Sequence, residues 1–210
     1  MLDSNAVAAI RRRDLLLTVT LLLIALTPAW FLPRGASLAW QVAVMVLAGP
    51  MLLLSWTHGP WQPTPPADLD RIISHLALSE QDRFVDLGSG DGRVLLSVAQ
   101  ATNADCTGIE AAPLMAFVGW LRTRFSGYAI HIRWGDLYRS ELSTFDAAYV
   151  WGTAYSVGTE GFAHGLRERL RPGTRVVSYQ HALAGWTPTT IDEEGERPIF
   201  VYDVGEAPQA

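Results

Sequence analysis

Residues 84–93 read Phe-Val-Asp-Leu-Gly-Ser-Gly-Asp-Gly-Arg, and the order of residue types in this stretch decides the fold. Phe84 to Leu87 is a short apolar run broken by one acid, the pattern of a buried strand. Gly88-Ser89-Gly90-Asp91-Gly92 is a turn whose glycines remove the Cβ atoms that would hold a ligand off the backbone. From Arg93 to Ala101 the apolar positions Val94, Leu95 and Val98 recur at helical spacing. Strand, turn and helix together make half of a nucleotide site. The spacing is Gly-x-Gly-x-Gly, which departs from the G-x-G-x-x-G of dinucleotide enzymes, and the absence of a following Gly-Lys-Ser/Thr excludes a P-loop.

Outward from this stretch the alternation continues. Asp68 to Leu78 has apolar Leu69, Ile72, Ile73 and Leu76 on one helical face. Cys106 to Glu110 predicts a second strand, Ala112 to Phe125 a helix, Ile130 to Trp134 a third strand and Ala147 to Trp151 a fourth. Gly158 to Leu170 is helical, Arg171-Pro172-Gly173 stops it, and Arg175 to Tyr179 is a fifth strand. Trp186 to Ile191 and Ile199 to Val204, around an acidic turn at 192–196, form an antiparallel pair that closes the sheet. The expected fold is a three-layer, mostly parallel α/β domain with its site at the carboxyl ends of the strands.

Three acids stand at those ends. Asp86 precedes the glycine turn by two residues, where a carboxylate attracts an ammonium and repels a pyrophosphate. Glu110 ends the second strand, the place where an acid accepts ribose hydroxyls. Asp136, followed by Leu137, comes after the third strand, where an adenine amino group would arrive. Each has a plainer reading taken singly: a turn or capping residue, a solvated strand end, a turn former. In this order on alternating elements they describe a pocket for S-adenosylmethionine. Trp151 and Tyr155 follow the fourth strand and could line an aromatic channel for an aliphatic amine, or simply pack the end of the sheet. Asp91, Tyr155 and His181 are candidate proton acceptors.

The chain resembles class I, seven-strand S-adenosylmethionine-dependent methyltransferases, through residues 84–93 as quoted. The likeness extends to Pro63-Thr-Pro-Pro66, Gly108-Ile-Glu-Ala-Ala-Pro113, Gly135-Asp-Leu-Tyr138, and Thr174-Arg-Val-Val177 leading to Gly185-Trp-Thr-Pro188. These segments are similar to the membrane-anchored protein-lysine methyltransferases related to those acting on the c-type subunit of ATP synthase and on the adenine nucleotide translocase, and more distantly to seven-strand histone lysine methyltransferases. The resemblance covers about residues 60–190. It implies S-adenosyl-L-methionine as cofactor, held by Asp86, the loop Gly88, Ser89, Gly90, Asp91 and Gly92, then Glu110, Asp136 and Leu137, with a lysine of a protein substrate entering past Trp151 and Tyr155. The chain departs from amine-modifying families after the fourth strand, where Trp151-Gly-Thr-Ala-Tyr155 replaces an Asn/Asp-Pro-Pro-aromatic turn.

Composition sets the remaining expectations. The chain has 210 residues, 49% of them hydrophobic and only 18% charged. Leu15 to Leu32 and Ala36 to Trp56 are uncharged runs of 18 and 21 residues separated by Pro33-Arg34-Gly35. At about 1.5 Å per residue each approaches or matches the hydrocarbon thickness. They predict a membrane hairpin over 1–57, with Trp30 and Trp40 at one end and Trp56 and Trp61 at the other. An export signal ahead of one anchoring run is the alternative, as are two buried soluble helices; the hairpin accounts for both runs together. Arg11-Arg12-Arg13 keeps the N-terminus in the cytoplasm, so the hairpin returns the chain there, at a bacterial inner membrane. Residues 58–66, with four prolines in nine, form a stiff linker to a methyltransferase domain over 67–210. Residues 61–210 carry 12 arginines against 19 acids, a net of −7, which argues against nucleic acid. Expected partners are the bilayer and a protein substrate such as a membrane protein; the alternatives are a lipid or lipophilic small molecule as acceptor, or a non-catalytic scaffold that binds an adenosyl ligand. A single Cys106 excludes an internal disulfide, and the scattered histidines exclude structural zinc.

Overall fold

The computed structural model describes residues 33–43, 45, 46, 62–154 and 156–205. The chain divides into two units, Met1–Pro60 and Trp61–Ala210. In the first, residues 34–43, 45 and 46 are helical, and the turn opens with the Ser37 amide donating to the Pro33 carbonyl at 2.9 Å. Leu38, Trp40, Val42, Met45 and Val46 are exposed on it. The predicted helix over 15–32 and most of that over 36–56 lie outside the described residues, and among the described residues no helix is long and apolar enough to cross a membrane.

The second unit is a seven-stranded mixed sheet. Its helices are α1 Leu69–Leu76, α2 Arg93–Thr102, α3 Pro113–Thr123 and α4 Glu160–Arg169, and a short 3-10 turn Pro66–Asp68 leads into α1. The strands are β1 Arg83–Leu87, β2 Asp105–Glu110, β3 Ile130–Trp134, β4 Ala147–Val150, β5 Arg175–Tyr179, β6 Thr190–Asp192 and β7 Ile199–Asp203. They lie in the order β3-β2-β1-β4-β5-β7-β6, parallel except that β7 runs antiparallel to both β5 and β6.

Strand alternation builds one core on each face. Val85, Leu87, Ala148, Val150, Val176 and Tyr202 pack with Phe162, Ala163 and Leu166 of α4. Phe84, Cys106, Ala147, Tyr149, Val177 and Tyr179 pack with Ile72 and Leu76 of α1 and Val94, Leu95 and Val98 of α2. Asp86 therefore belongs, by alternation with Val85 and Leu87, to the α1/α2 face. The predicted sixth strand over 186–191 begins only at Thr190. Pro188 has no amide to give a ladder, and Trp186 turns inward, its indole donating to the Ala163 carbonyl at 3.1 Å and standing edge-on to Tyr202.

Candidate active site

Reversal of strand order at β1, between β2 and β4, opens a crevice at the carboxyl ends of the strands. Gly88 and Ser89 anchor the loop by donating their amides to the Ile109 carbonyl at 2.8 and 3.2 Å. Glu110 completes the anchorage. Its two carboxylate oxygens accept from the amides of Gly90 and Ala112, each at 2.8 Å. A carboxylate has about four acceptor sites, so Glu110 retains acceptor capacity toward the crevice while fixing the loop to β2.

The glycines divide into two kinds. Gly88, at φ +87°, has open space where a Cβ would lie. Gly92, at φ +74°, faces α3, where a Cβ would meet Thr123 Cγ2 at 3.2 Å and Gly119 Cα at 3.3 Å. Gly88 thus leaves room beside the crevice, whereas Gly92 allows a helix to approach the loop. Ser89 turns toward β2, with its Oγ 2.5 Å from the Cβ position of Gly108, and this hydroxyl is buried without a hydrogen-bond partner among the described residues.

Asp86 is 2% exposed. Burial raises its pKa well above the ordinary carboxylate range, and the charges acting on it, Glu110 and Asp91, are both negative and push the same way. It sits in register between Gly108 on β2 and Tyr149 on β4. A buried acid facing other acids, beside an open glycine and an unpaired serine hydroxyl, fits a ligand that brings its own ammonium and presses against backbone.

The other predicted residues are placed differently. Asp91 is buried, but Arg93 and Arg122 hold its Oδ2 at 2.7 and 3.0 Å, so it supports the loop and is not free to take a proton. Those arginines hold its carboxyl below the usual range against the opposing effect of burial. Asp136 is exposed and accepts from the Tyr138 amide at 2.8 Å, forming the turn that carries half-buried Leu137. Trp151 is half-buried: its indole donates to Gln180 Oε1 at 3.3 Å, its ring meets Tyr179 edge-on at 5.1 Å, and Arg197 lies 5.4 Å from its centroid. The ring seat expected for a substrate cation already carries the protein's own guanidinium. Tyr155 lies outside the described residues. His181 is half-buried, and burial followed by Arg197 lowers its pKa, leaving a neutral imidazole at neutral pH.

Sequence patterns did not reveal how the Pro-rich segment is strapped to the domain. Thr64, buried in the Pro-rich segment, shares a 3.2 Å hydrogen bond with the Tyr149 hydroxyl, and its carbonyl accepts from Arg93 at 3.4 Å. The Tyr179 hydroxyl donates to Asp68 Oδ2, and Arg71 links Asp68 at 2.7 Å to Asp192 at 2.8 Å. Burial and the Asp68 carboxylate push the Tyr179 hydroxyl up to about 12. Gln180, at φ +74°, is one of three non-glycine residues described in the left-handed region, and its amide donates to the Pro198 carbonyl at 2.8 Å. Gln180 is thus held from two sides, its amide by Pro198 and its side chain by the Trp151 indole.

The sheet order, the loop and the acids define a class I methyltransferase fold. Residues 86–190 match the family model described as the ANTKMT methyltransferase domain, half of the chain, and the protein belongs to that family. It is 27% identical over 157 residues to a protein-lysine N-methyltransferase of Saccharolobus islandicus, covering 71% of this chain and 96% of that protein. It is 29% identical over 138 residues to the adenine nucleotide translocase lysine N-methyltransferase of Mus musculus, covering 65% of this chain and 59% of that protein, so it spans under two thirds of the vertebrate relative. Among solved structures, the RNA methyltransferase from Salinibacter ruber in complex with S-adenosyl-L-homocysteine superposes with a TM-score of 0.65 at 27% identity, covering 70% of this chain and 95% of that one. The protein is an S-adenosylmethionine-dependent methyltransferase.

Proposed function

We propose that this protein methylates a lysine side chain of a protein substrate and that it works from a membrane. The observation that carries the site assignment is the buried Asp86 surrounded by negative charge next to the open face of Gly88. Kinship with protein-lysine methyltransferases, over nearly the whole length of the archaeal protein, supports lysine as the acceptor.

The bound donor supplies an electrophilic methyl on a sulfonium, and the protein's task is to hold two reactants in line and keep water out. Asp86 would hold the donor's ammonium, releasing its own proton to solvent as it ionises. Ser89 and the open backbone at Gly88 would serve its amino-acid end, Glu110 its sugar and the Asp136–Leu137 turn its base. The strap Thr64–Asp68, pinned to Tyr149 and Tyr179, closes the acceptor side. Trp151, fixed by Gln180 and Arg197, acts as a wall there. Of the candidate proton acceptors, Asp91 is committed to two arginines, and the imidazole of His181, its pKa lowered by burial and Arg197, is a weak base for the proton that an incoming ammonium must lose.

The tether rests on the two uncharged runs of the sequence and on the exposed apolar side chains of Leu38, Trp40, Val42, Met45 and Val46. Orientation follows from Arg11–Arg13, which places the catalytic domain on the cytoplasmic side of an inner membrane. The predicted division at 1–57, 58–66 and 67–210 is part of this proposal.

A second reading, RNA as acceptor, comes from the name of the Salinibacter relative. The net charge of −7 over residues 61–210 disfavours a polyanion. A lipid acceptor is the third. Labelled methyl transfer from S-adenosylmethionine into membranes containing the protein, resolved into protein, lipid and RNA, separates them. We expect label in protein, released as methyl-lysine on hydrolysis; label confined to lipid or RNA contradicts the proposal.

A further inference from the structure

Helix α3 is apolar on two opposite faces. Ala112, Ala116, Gly119 and Thr123 are buried, and a Cβ on Gly119 would lie 3.0 Å from the Gly90 carbonyl, so this stripe packs on the glycine loop. The other stripe, Phe117, Trp120 and Leu121, is continued past the end of the helix by Arg124 and Phe125 and is exposed, with Phe125 at 81%. Its aromatic rings are organised: Phe117 and Trp120 stack at 5.8 Å, and the Arg124 guanidinium lies 4.5 Å from the Trp120 centroid and 5.3 Å from that of Phe125. Trp134, 72% exposed on the edge strand β3, donates its indole to the Ala111 carbonyl at 3.0 Å and so joins the start of the helix. Single exposed apolar residues are ordinary, but a contiguous aromatic surface of this size marks a binding face.

Charge identifies what it binds. Between Glu110 and Asp136 the sequence has no acid and three arginines, Arg122, Arg124 and Arg133, in a unit that is otherwise strongly acidic. The acids nearest this region on neighbouring elements are already paired: Asp91 with Arg93 and Arg122, Asp105 with Arg83, and Asp136 with Arg139. Tryptophan and phenylalanine with arginines at their margin suit the headgroup boundary of a bilayer, where rings enter and guanidinium groups meet lipid phosphates. A second copy packed on the same face would bring the arginines against their own symmetry mates.

We propose that the outer face of α3, with Arg133 and Trp134 of β3, is a docking surface for an anionic lipid bilayer, distinct from the N-terminal anchor and from the methyl-donor crevice. The test uses the full chain carrying a polarity-sensitive fluorophore on Leu121→Cys or, as a control on α4 across the sheet, on Glu168→Cys. Cys106 is buried and leaves the new thiol selective. The chain is reconstituted by detergent removal with vesicles of phosphatidylcholine alone or mixed with phosphatidylglycerol. The expected result is a blue shift at position 121, absent at 168, largest with phosphatidylglycerol and reduced by salt. Binding of the face should weaken about fivefold for each charge removed in Arg124→Gln and Arg133→Gln. If the chain floats with anionic vesicles while the probe at 121 stays polar, the docking face is refuted and the anchor stands. Flotation only with anionic vesicles, reversed by salt and with the blue shift present, supports the face and refutes the anchor. A blue shift at 121 that grows with protein concentration in vesicle-free solution assigns the face to self-association and overturns the proposal, as does a chain that floats with neither vesicle.

Discussion

Asp86 is buried beside two other acids, Glu110 and Asp91, and this sets its effect on stability. An acid whose folded pKa lies above its ordinary value of 3.8 weakens the fold as pH rises from that value through the folded one, because the unfolded chain ionises more easily. Asp86→Asn should therefore stabilise the donor-free protein at neutral pH by about 1–3 kcal/mol, read as a raised thermal midpoint, and should remove that part of the loss with rising pH. Unchanged or lowered stability would show that the native carboxyl is already compensated. The two glycines should separate in the same way. Gly92→Ala meets α3 and adopts a left-handed backbone, so its main effect is a stability loss of about 1–3 kcal/mol in chemical denaturation. Gly88→Ala has the backbone strain without the clash, and should reduce donor affinity more than Gly92→Ala does. In sequence the two glycines look alike; only the position of α3 distinguishes them.

At the scale of elements, the alternation of strand and helix was legible from 84 to 179, since buried strands and periodic helices advertise themselves locally. The strap was not. Asp68 reads as an acid favouring a helix start, and nothing near it in sequence shows that Tyr179, 111 residues away, donates to it. Trp151 was legible as the aromatic residue that follows the fourth strand, while its Arg197 neighbour comes from the turn between β6 and β7 and could not be inferred. Helix α3 was legible in extent, but two apolar stripes do not reveal which one packs. Tyr179→Phe should leave Asp68 with Arg71 alone and destabilise the domain by about 1–3 kcal/mol. A double-mutant cycle with Asp68→Asn should show coupling between them; strictly additive effects would mean that the strap is not held there.

For the molecule as a whole, several acids are held below their usual range. Asp192 is lowered first by its hydrogen bond to Arg71, and Asp91 by Arg93 and Arg122 against burial. Groups of this kind contribute stability above the ordinary carboxylate range and lose it as pH falls through their folded values. Acid unfolding should consequently set in below about pH 4, and Asp192→Asn should flatten the acid limb of the stability curve; an unaltered limb would place its origin elsewhere. The two apolar runs lie mostly outside the described residues and their membrane reading rests on hydropathy alone, whereas the surface charge pattern around α3 required the fold.

The assignment of the crevice is tested most directly by titrating S-adenosylhomocysteine into the wild-type protein and into Asp86→Asn by calorimetry, in buffers of different ionisation enthalpy. A buried carboxyl that ionises on meeting the ligand's ammonium should give proton release on binding to the wild type and affinity that rises with pH. Asp86→Asn should lose about tenfold or more in affinity, together with the proton release. Equal affinity in the two proteins, with the same buffer dependence, would overturn the assignment.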